Sequence, residues 1–410
     1  MRTNHFFKLF FVVFFSGILF YSCQEENLIQ EKSAKAIKLT STSSANAIQL
    51  LGTSSVYWTK AQNVHAFIVG NLLSTYNSYR VNLTLTSTAY EWYNTSQIYA
   101  DATFVKYGDS RYTQYMNNTY SWMSNMWDGA NLNGGYFAQA NVDGSGASGD
   151  KYTDDNSLTG IIYLDCYDVT IGTTQTNYLN SAKACANWLM NSGQWDNTFG
   201  GGFWWNTKKQ EKPTQTNGLA MQLFLRLYQI TGQAYYKDWA NSVKAWLETY
   251  MLDSSDGLYC WQYTHDGVRH AEKFTYDNAI MIETDLLYAQ VMNNSLYTTK
   301  AQNLGIKMNS KLWNNTYRVY IFNSSDPRIN PAWCGWGSQA MIKLYQADGN
   351  IAWLDYAQQN IDFINAKLQD INNYGYYQFC NLDGSARYTN MEGVDQAWMQ
   401  RIQVLMSNYR

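Results

Sequence analysis

Two adjacent carboxylates, Asp154 and Asp155, stand in the string Tyr152-Thr153-Asp154-Asp155-Asn156. A single Asp at a helix start is ordinarily a cap, because its side chain accepts from the free N–H groups of the first turn. One cap needs one side chain, so the second carboxylate is left over. Two carboxylates that face a common cleft repel each other, which raises the proton affinity of one and separates an acid from a base. Hydrolysis of a glycosidic bond uses such a pair, about 5 Å apart when configuration is retained and about 6.5 to 9.5 Å apart when it is inverted. Neighbouring residues at a helix start reach the shorter distance, so the spacing leans towards retention through a covalent intermediate.

The surroundings fit a sugar. Aromatic residues make up 16% of the chain and charged residues only 15%, and Trp and Tyr stack flat faces on pyranose C–H groups while their polar edges hydrogen-bond. More than half of the 16 Trp and 34 Tyr are nevertheless expected in the core. A net charge of -3 with no basic run excludes nucleic acid as a partner, since phosphate binding needs clustered Lys and Arg. The histidines His5, His65, His265 and His270 form no HExxH pair and no CxxC exists, so the common zinc frameworks are missing and no metal or cofactor is expected. Residues 144–150 are glycine-rich but lack the Lys-Ser/Thr ending of a phosphate loop, and read as a flexible connection.

At the N-terminus, Arg2 and Lys8 accompany an apolar run from Phe6 to Phe20 that is of signal-peptide length and too short to span a bilayer. It ends at Phe20-Tyr21-Ser22-Cys23, which resembles a bacterial lipobox. Residues 1–22 are therefore expected to be a lipoprotein signal peptide, with lipid on Cys23 as the link to the membrane. Gln24-Glu25-Glu26 resembles the acidic tag of surface-directed outer-membrane lipoproteins, which points to the cell envelope. Residues 23–50, poor in large apolar side chains, read as a tether, and residues 51–410 as the folded domain. The remaining cysteines (Cys166, Cys185, Cys260, Cys334, Cys380) are odd in number and widely spaced, which predicts buried thiols rather than disulfides.

The domain repeats. The 21-residue segments that start at Leu227 and Leu344 match at Gly232 with Gly349, Asp238 with Asp355 and Ala240 with Ala357. Weaker copies place the anchors Tyr112, Tyr178, Tyr236, Tyr297 and Trp353 about two helices and their loops apart, so each unit is a helical hairpin. Links within a hairpin are short. Connections between hairpins, near 128–153, 192–214, 253–275, 314–333 and 370–391, are long, rich in Gly, Asn, Trp and Tyr, and must emerge on one face. First helices of the hairpins are predicted to start near 86, 155, 215, 276 and 335, and a sixth to span 392–408. That sixth helix lacks a partner, which a helix near 56–74 can supply. The prediction is an all-α (α/α)6 toroid of six helical hairpins, closed by its two ends. The three prolines, Pro213, Pro327 and Pro331, fall in predicted loops.

Function collects on long loops carried by a rigid scaffold. The corresponding helix starts carry Tyr90-Glu91-Trp92, the Asp154-Asp155 pair, Gln215-Thr216-Asn217, Tyr276-Asp277-Asn278, Trp333 to Trp336 and Glu392 to Gln396. The string around Tyr152, the string GGFWWNTK from Gly201 to Lys208 and the segment Leu223 to Ala240 together resemble glycoside hydrolase family 76, the bacterial endo-acting α-1,6-mannanases. The resemblance covers most of the chain past residue 55. It implies α-mannan as the substrate, Asp154 as nucleophile and Asp155 as acid/base. It also implies sugar contacts from Trp92, Trp204 and Trp205 and a polar active-site segment at Tyr276 and Asp277; Tyr152 and Asn156, which flank the pair on the long-loop face, are expected to bind substrate as well. The run Ala279 to Glu283 departs from the family's usual small aliphatic residues at that place. A monomer is expected.

Two other readings compete. A glycan-binding lipoprotein without catalysis would explain the lipobox and the Trp content, but neither the hairpin period nor the coupled carboxylates. Unsaturated-glycuronyl hydrolases and sugar epimerases share the toroid, yet the epimerases usually depend on His pairs, and here only His265 and His270 lie on one predicted loop.

Overall fold

The computed structural model describes residues 54–410. The predicted signal peptide, Cys23 and the tether lie outside the described residues. Twelve α-helices occupy the described part, in the order α1 (Val56–Asn71), α2 (Glu91–Lys106), α3 (Thr113–Met123), α4 (Thr153–Asp168), α5 (Gly172–Asn191), α6 (Thr214–Thr231), α7 (Ala234–Trp246), α8 (Thr275–Val291), α9 (Leu296–Leu312), α10 (Pro331–Asp348), α11 (Ile351–Leu368) and α12 (Gly393–Ser407).

Even-numbered helices form an inner ring in which α2 packs on α4, α4 on α6, α6 on α8, α8 on α10, α10 on α12, and α12 back on α2. Each inner helix has an outer partner; for α12 that partner is α1, so the two ends of the domain close the ring as expected. The sequence separates the two layers. Inner helices are buried almost all round, as in α12, where all 15 residues are buried. Outer helices bury one stripe, as α7 does with Tyr236, Ala240, Val243 and Trp246. The anchors Tyr112, Tyr178, Tyr236 and Trp353 are all buried on the outer side of this core. Gly232 and Gly349 end their inner helices in the left-handed conformation (φ 68° and 71°), each donating its N–H back to Tyr228 or Tyr345, which is why glycine recurs there. The five described cysteines are buried free thiols.

Short strands were not expected from the sequence. Thr88–Tyr90 pairs antiparallel with Gln139–Asn141, and Glu211–Pro213 with Gln262–Thr264, which also pairs with Arg269–His270. The first two pairings join successive long connections, so the loops form a stitched collar around one mouth of the ring. The first pairing also explains why α2 starts at Glu91 rather than near 86: residues 88–90 are extended. Pro331 is not in a loop but in the first turn of α10, where a missing N–H costs nothing.

Two repeated devices hold the collar. At the fourth residue of five inner helices stands an amide, Asn94, Asn156, Asn217, Asn278 or Gln396, whose oxygen accepts the backbone N–H of a buried aromatic in the preceding loop. Its NH2 donates to that aromatic's carbonyl and to the carbonyl four residues back. In α10 the position is Cys334, and Asn360 of α11 takes over, accepting from Tyr320 N–H at 2.9 Å. Two residues before α4, α6 and α8 stand the buried lysines Lys151, Lys212 and Lys273, whose Nζ atoms donate to Asp128 (2.6 Å), Asp196 (2.8 Å) and Asp253 (2.9 Å) near the start of the same connection.

Candidate active site

Inner-helix N-termini and the long loops meet at one mouth, where a cavity of about 250 Å³ opens. Its polar wall is Asp154 and Asp155 from α4 and Gln215 from α6; its apolar wall includes Trp92, Trp205, Trp333 and Trp336. Trp92 and Trp333 lie with ring centroids 4.7 Å apart. Tyr152 completes the rim, with Trp205 edge-on at 4.9 Å.

The two carboxylates are half-buried neighbours with different partners. Asp154 Oδ2 accepts from Trp205 Nε1 at 3.0 Å and from Gln215 Nε2 at 2.8 Å. Burial pushes its carboxyl up, and Trp205, the N–H groups of the first turn and Gln215 pull it back, so it settles at about 6. Asp155 accepts no hydrogen bond among the described residues. Burial and then the Asp154 charge raise it well above the usual carboxylate range. The pair is thus split into a carboxylate with fixed donors and a neighbour that holds its proton. Beneath them Glu91 is fully buried, its Oε1 accepting from Thr159 at 2.9 Å, and burial together with Asp155 raises it as well.

The ring supplies an internal comparison. Asp155, Asp277 and Asp395 are each the third residue of an inner helix. Asp277 Oδ1 accepts from Gln215 N–H at 3.0 Å, and Asp395 Oδ1 from Ala332 N–H at 3.2 Å, so both fasten the start of the preceding inner helix. Asp155 makes no such bond and faces the cavity instead. The same helical position is structural twice and free once.

A sequence profile of glycosyl hydrolase family 76 matches residues 58–323, a span that includes both carboxylates. The chain belongs to glycosyl hydrolase family 76. A mannan endo-1,6-alpha-mannosidase of Candida glabrata is 31% identical over 145 residues, which are 32% of this chain and 30% of that protein. The chain therefore matches less than a third of that relative's length. Among solved structures, a family 76 alpha-mannanase of Bacteroides thetaiotaomicron superposes with a TM-score of 0.76 at 22% identity, over 88% of this chain and 98% of that one. An alpha-1,6-mannanase from a Salegentibacter species, solved as an inactive variant with two neighbouring aspartates changed to asparagine and with alpha-1,6-mannotriose bound, gives 0.69 at 16% identity, over 86% and 98%. At these identities the structural likeness shows the shared toroid.

Within this family 76 chain the residues expected at the sugar surface divide into two groups. Trp92, Tyr152, Asp154, Asp155 and Trp205 line the cavity. Asn156 does not; it is fully buried and spent on the backbone of Tyr136 and Tyr152. Trp204 is 8% exposed and lies under the Lys212 ammonium, 4.5 Å from its ring centroid. Tyr276 and Asp277 stand one row back: Tyr276 buttresses Trp333 at 4.7 Å, and Asp277 sets the start of α6. Gln215, Trp333 and Trp336, quoted in the helix starts but given no role, line the cavity. Gln215 had a signal: it is the second residue of its inner helix, as Trp92 and Asp154 are of theirs. His265 and His270 belong to the Gln262–His270 hairpin and are not among the residues that line the cavity.

Proposed function

We propose that this chain is a retaining endo-α-1,6-mannanase, acting as a monomer and held on the cell envelope by lipid on Cys23. The observation that carries the reading is the split pair in the aromatic cavity: Asp154 fixed by two N–H donors, Asp155 raised and unpartnered. The names of the Candida glabrata and Salegentibacter relatives support the linkage, and the inactive double aspartate variant supports the pair. In the first step Asp154 attacks the anomeric carbon while Asp155 gives its proton to the leaving oxygen; the product is a glycosyl ester on Asp154. In the second step Asp155, now ionised, takes a proton from water as that water displaces Asp154, restoring both groups. Trp205 and Gln215 hold Asp154 by one oxygen and so fix the direction of the other. The neighbouring indoles offer faces for sugar rings on either side.

Digestion of linear α-1,6-mannan is expected to give oligosaccharides of mixed length, followed by chromatography. Binding without release of any fragment would overturn the enzymatic reading in favour of a glycan-binding protein, and release of monosaccharide alone would overturn the endo assignment.

The pH profile of kcat/KM should be a bell. Asp154 must be ionised, so activity rises with pH through about 6; Asp155 must be protonated, so activity falls again at higher pH. Both limbs belong to the pair as a unit. An acid limb that lies in the ordinary carboxylate range, about pH 4, would contradict the elevated Asp154.

Cys23→Ala is expected to move the protein from the membrane fraction to the soluble fraction of its host, assayed by ultracentrifugation and immunoblot. Unchanged membrane association removes the anchor from the proposal.

A further inference from the structure

At the opposite mouth of the ring the C-terminal halves of the inner helices enclose a larger cavity, of about 610 Å³. It belongs to no part of the chemistry described above, and its wall is heavily charged. Arg226 is neutralised there, since its Nη2 donates to Asp168 at 2.6 Å and lies 3.9 Å from Asp165. Glu283 is engaged from the side of the catalytic cavity: its carboxylate accepts from Trp336 Nε1 at 3.1 Å and from Gln339 Nε2 at 2.9 and 2.7 Å. Trp336 lines the catalytic cavity and Glu283 lines this one, so one hydrogen bond bridges the wall between them.

Three further cations lie at the wall without a direct ion pair, Glu283 being the carboxylate whose charge acts most on Lys343. Lys106 and Lys343 line the cavity and form no ion pair or hydrogen bond among the described residues. Arg401 is 4% exposed, stacked at 3.5 Å on the face of Tyr99, and its Nε and Nη1 are buried with no acceptor. A buried donor without an acceptor costs about 1–3 kcal/mol, and more when it is charged. A partly open cavity is thus lined by the Lys343 ammonium, which has no hydrogen-bond acceptor among the described residues, and by Arg401, whose unpaired Nε and Nη1 are buried at its wall. An oxyanion supplies several acceptor oxygens in the geometry a guanidinium edge matches. The cavity also lies within the size range of sites for organic ligands of about 300–1,000 Å³, with Gln222, Gln290 and Thr298 as neutral polar lining.

We propose that this cavity is a second ligand site, separate from the catalytic cleft, that binds a small phosphate-type oxyanion on Lys343, Arg401 and Lys106, either free or as the phosphate of a hexose phosphate. The detergent-solubilised full chain is titrated calorimetrically with inorganic phosphate, with a hexose 6-phosphate and with the same hexose lacking phosphate, in chloride buffer at fixed ionic strength. Saturable one-to-one binding of phosphate or the hexose phosphate is expected, with tighter binding of the latter if the neutral lining recognises the sugar. Lys343→Met should weaken that binding by about tenfold or more, the loss expected for one charge-assisted hydrogen bond. Lys106→Gln, at an exposed helix end, should weaken it less and serves if Lys343→Met does not fold. Equal binding of the unphosphorylated hexose, absence of saturable heat with either phosphate, or unaltered affinity in both variants would overturn the proposal. None of these readouts depends on mannan cleavage.

Discussion

Asp154→Asn is expected to lower kcat/KM on α-1,6-mannan by about 10⁴-fold or more, about 5.5 kcal/mol of transition-state stabilisation, while the fold is retained. The asparagine can still accept from Trp205 and Gln215, but it cannot form the ester, so no intermediate accumulates with any substrate. Thermal stability should be unchanged or slightly higher, because the substitution removes a carboxylate that burial already disfavours. Asp155→Asn differs in kind. A mannoside with an activated leaving group needs little protonation, so this variant should still form the ester, and its hydrolysis should stall for want of a base. Azide, which needs no base, should then release the sugar as a glycosyl azide of retained configuration. If both variants keep wild-type rates but melt at lower temperature, the pair is a helix cap and the mechanism fails. If azide rescues Asp155→Asn with inversion, Asp154 is not the nucleophile.

Much of this arrangement is legible in the sequence because it repeats. Gly232 and Gly349 recur since a left-handed residue ends those two inner helices, and the aromatic anchors recur since each outer helix buries one stripe. Closure by α1 and α12 follows from counting unpaired helices. What stayed hidden depends on facts that a linear pattern does not carry. Inner helices are buried all round, so apolar periodicity does not mark their ends, and the start of α2 was set by a three-residue strand pairing across the collar. Trp204 and Trp205 are adjacent in a loop outside any strand, with Trp205 at a bend, and their side chains go to different places. One goes under Lys212 and the other to Asp154, and composition cannot tell which. Asn156 looked like a sugar ligand from its place beside the carboxylates; only its recurrence as Asn94, Asn217 and Asn278 betrays the latch.

The loop that delivers Trp205 depends on Lys212, and Lys212→Met is expected to damage stability and catalysis together. The ammonium is fully buried as a side chain and donates to Asp196 Oδ2 (2.8 Å), Thr198 O (2.9 Å) and Gly201 O (2.8 Å). Methionine keeps the stem against Trp204 but leaves two carbonyls and a carboxylate without their donor. Breaking a buried pair costs about 3–5 kcal/mol. Two features place this case at about 2–3 kcal/mol, within the range for buried groups left without a partner. The Asp196 side chain is 22% exposed and can be rehydrated, and burial already lowers the ammonium's proton affinity, so part of its desolvation is relieved in the variant. Because Gly201 and Trp205 share one short loop, its loosening should also weaken the Trp205–Asp154 bond and lower kcat by about tenfold, with a smaller change in KM. Lys273→Met is the matched control. It breaks the equivalent lock to Asp253, yet residues 253–274 contribute no side chain to the cavity lining, so stability should fall by a similar amount with kcat nearly unaltered. Chemical denaturation and steady-state kinetics on the two variants separate these effects. Equal losses of kcat in both would mean that the collar acts as one rigid body, and that Lys212 has no particular hold on the nucleophile.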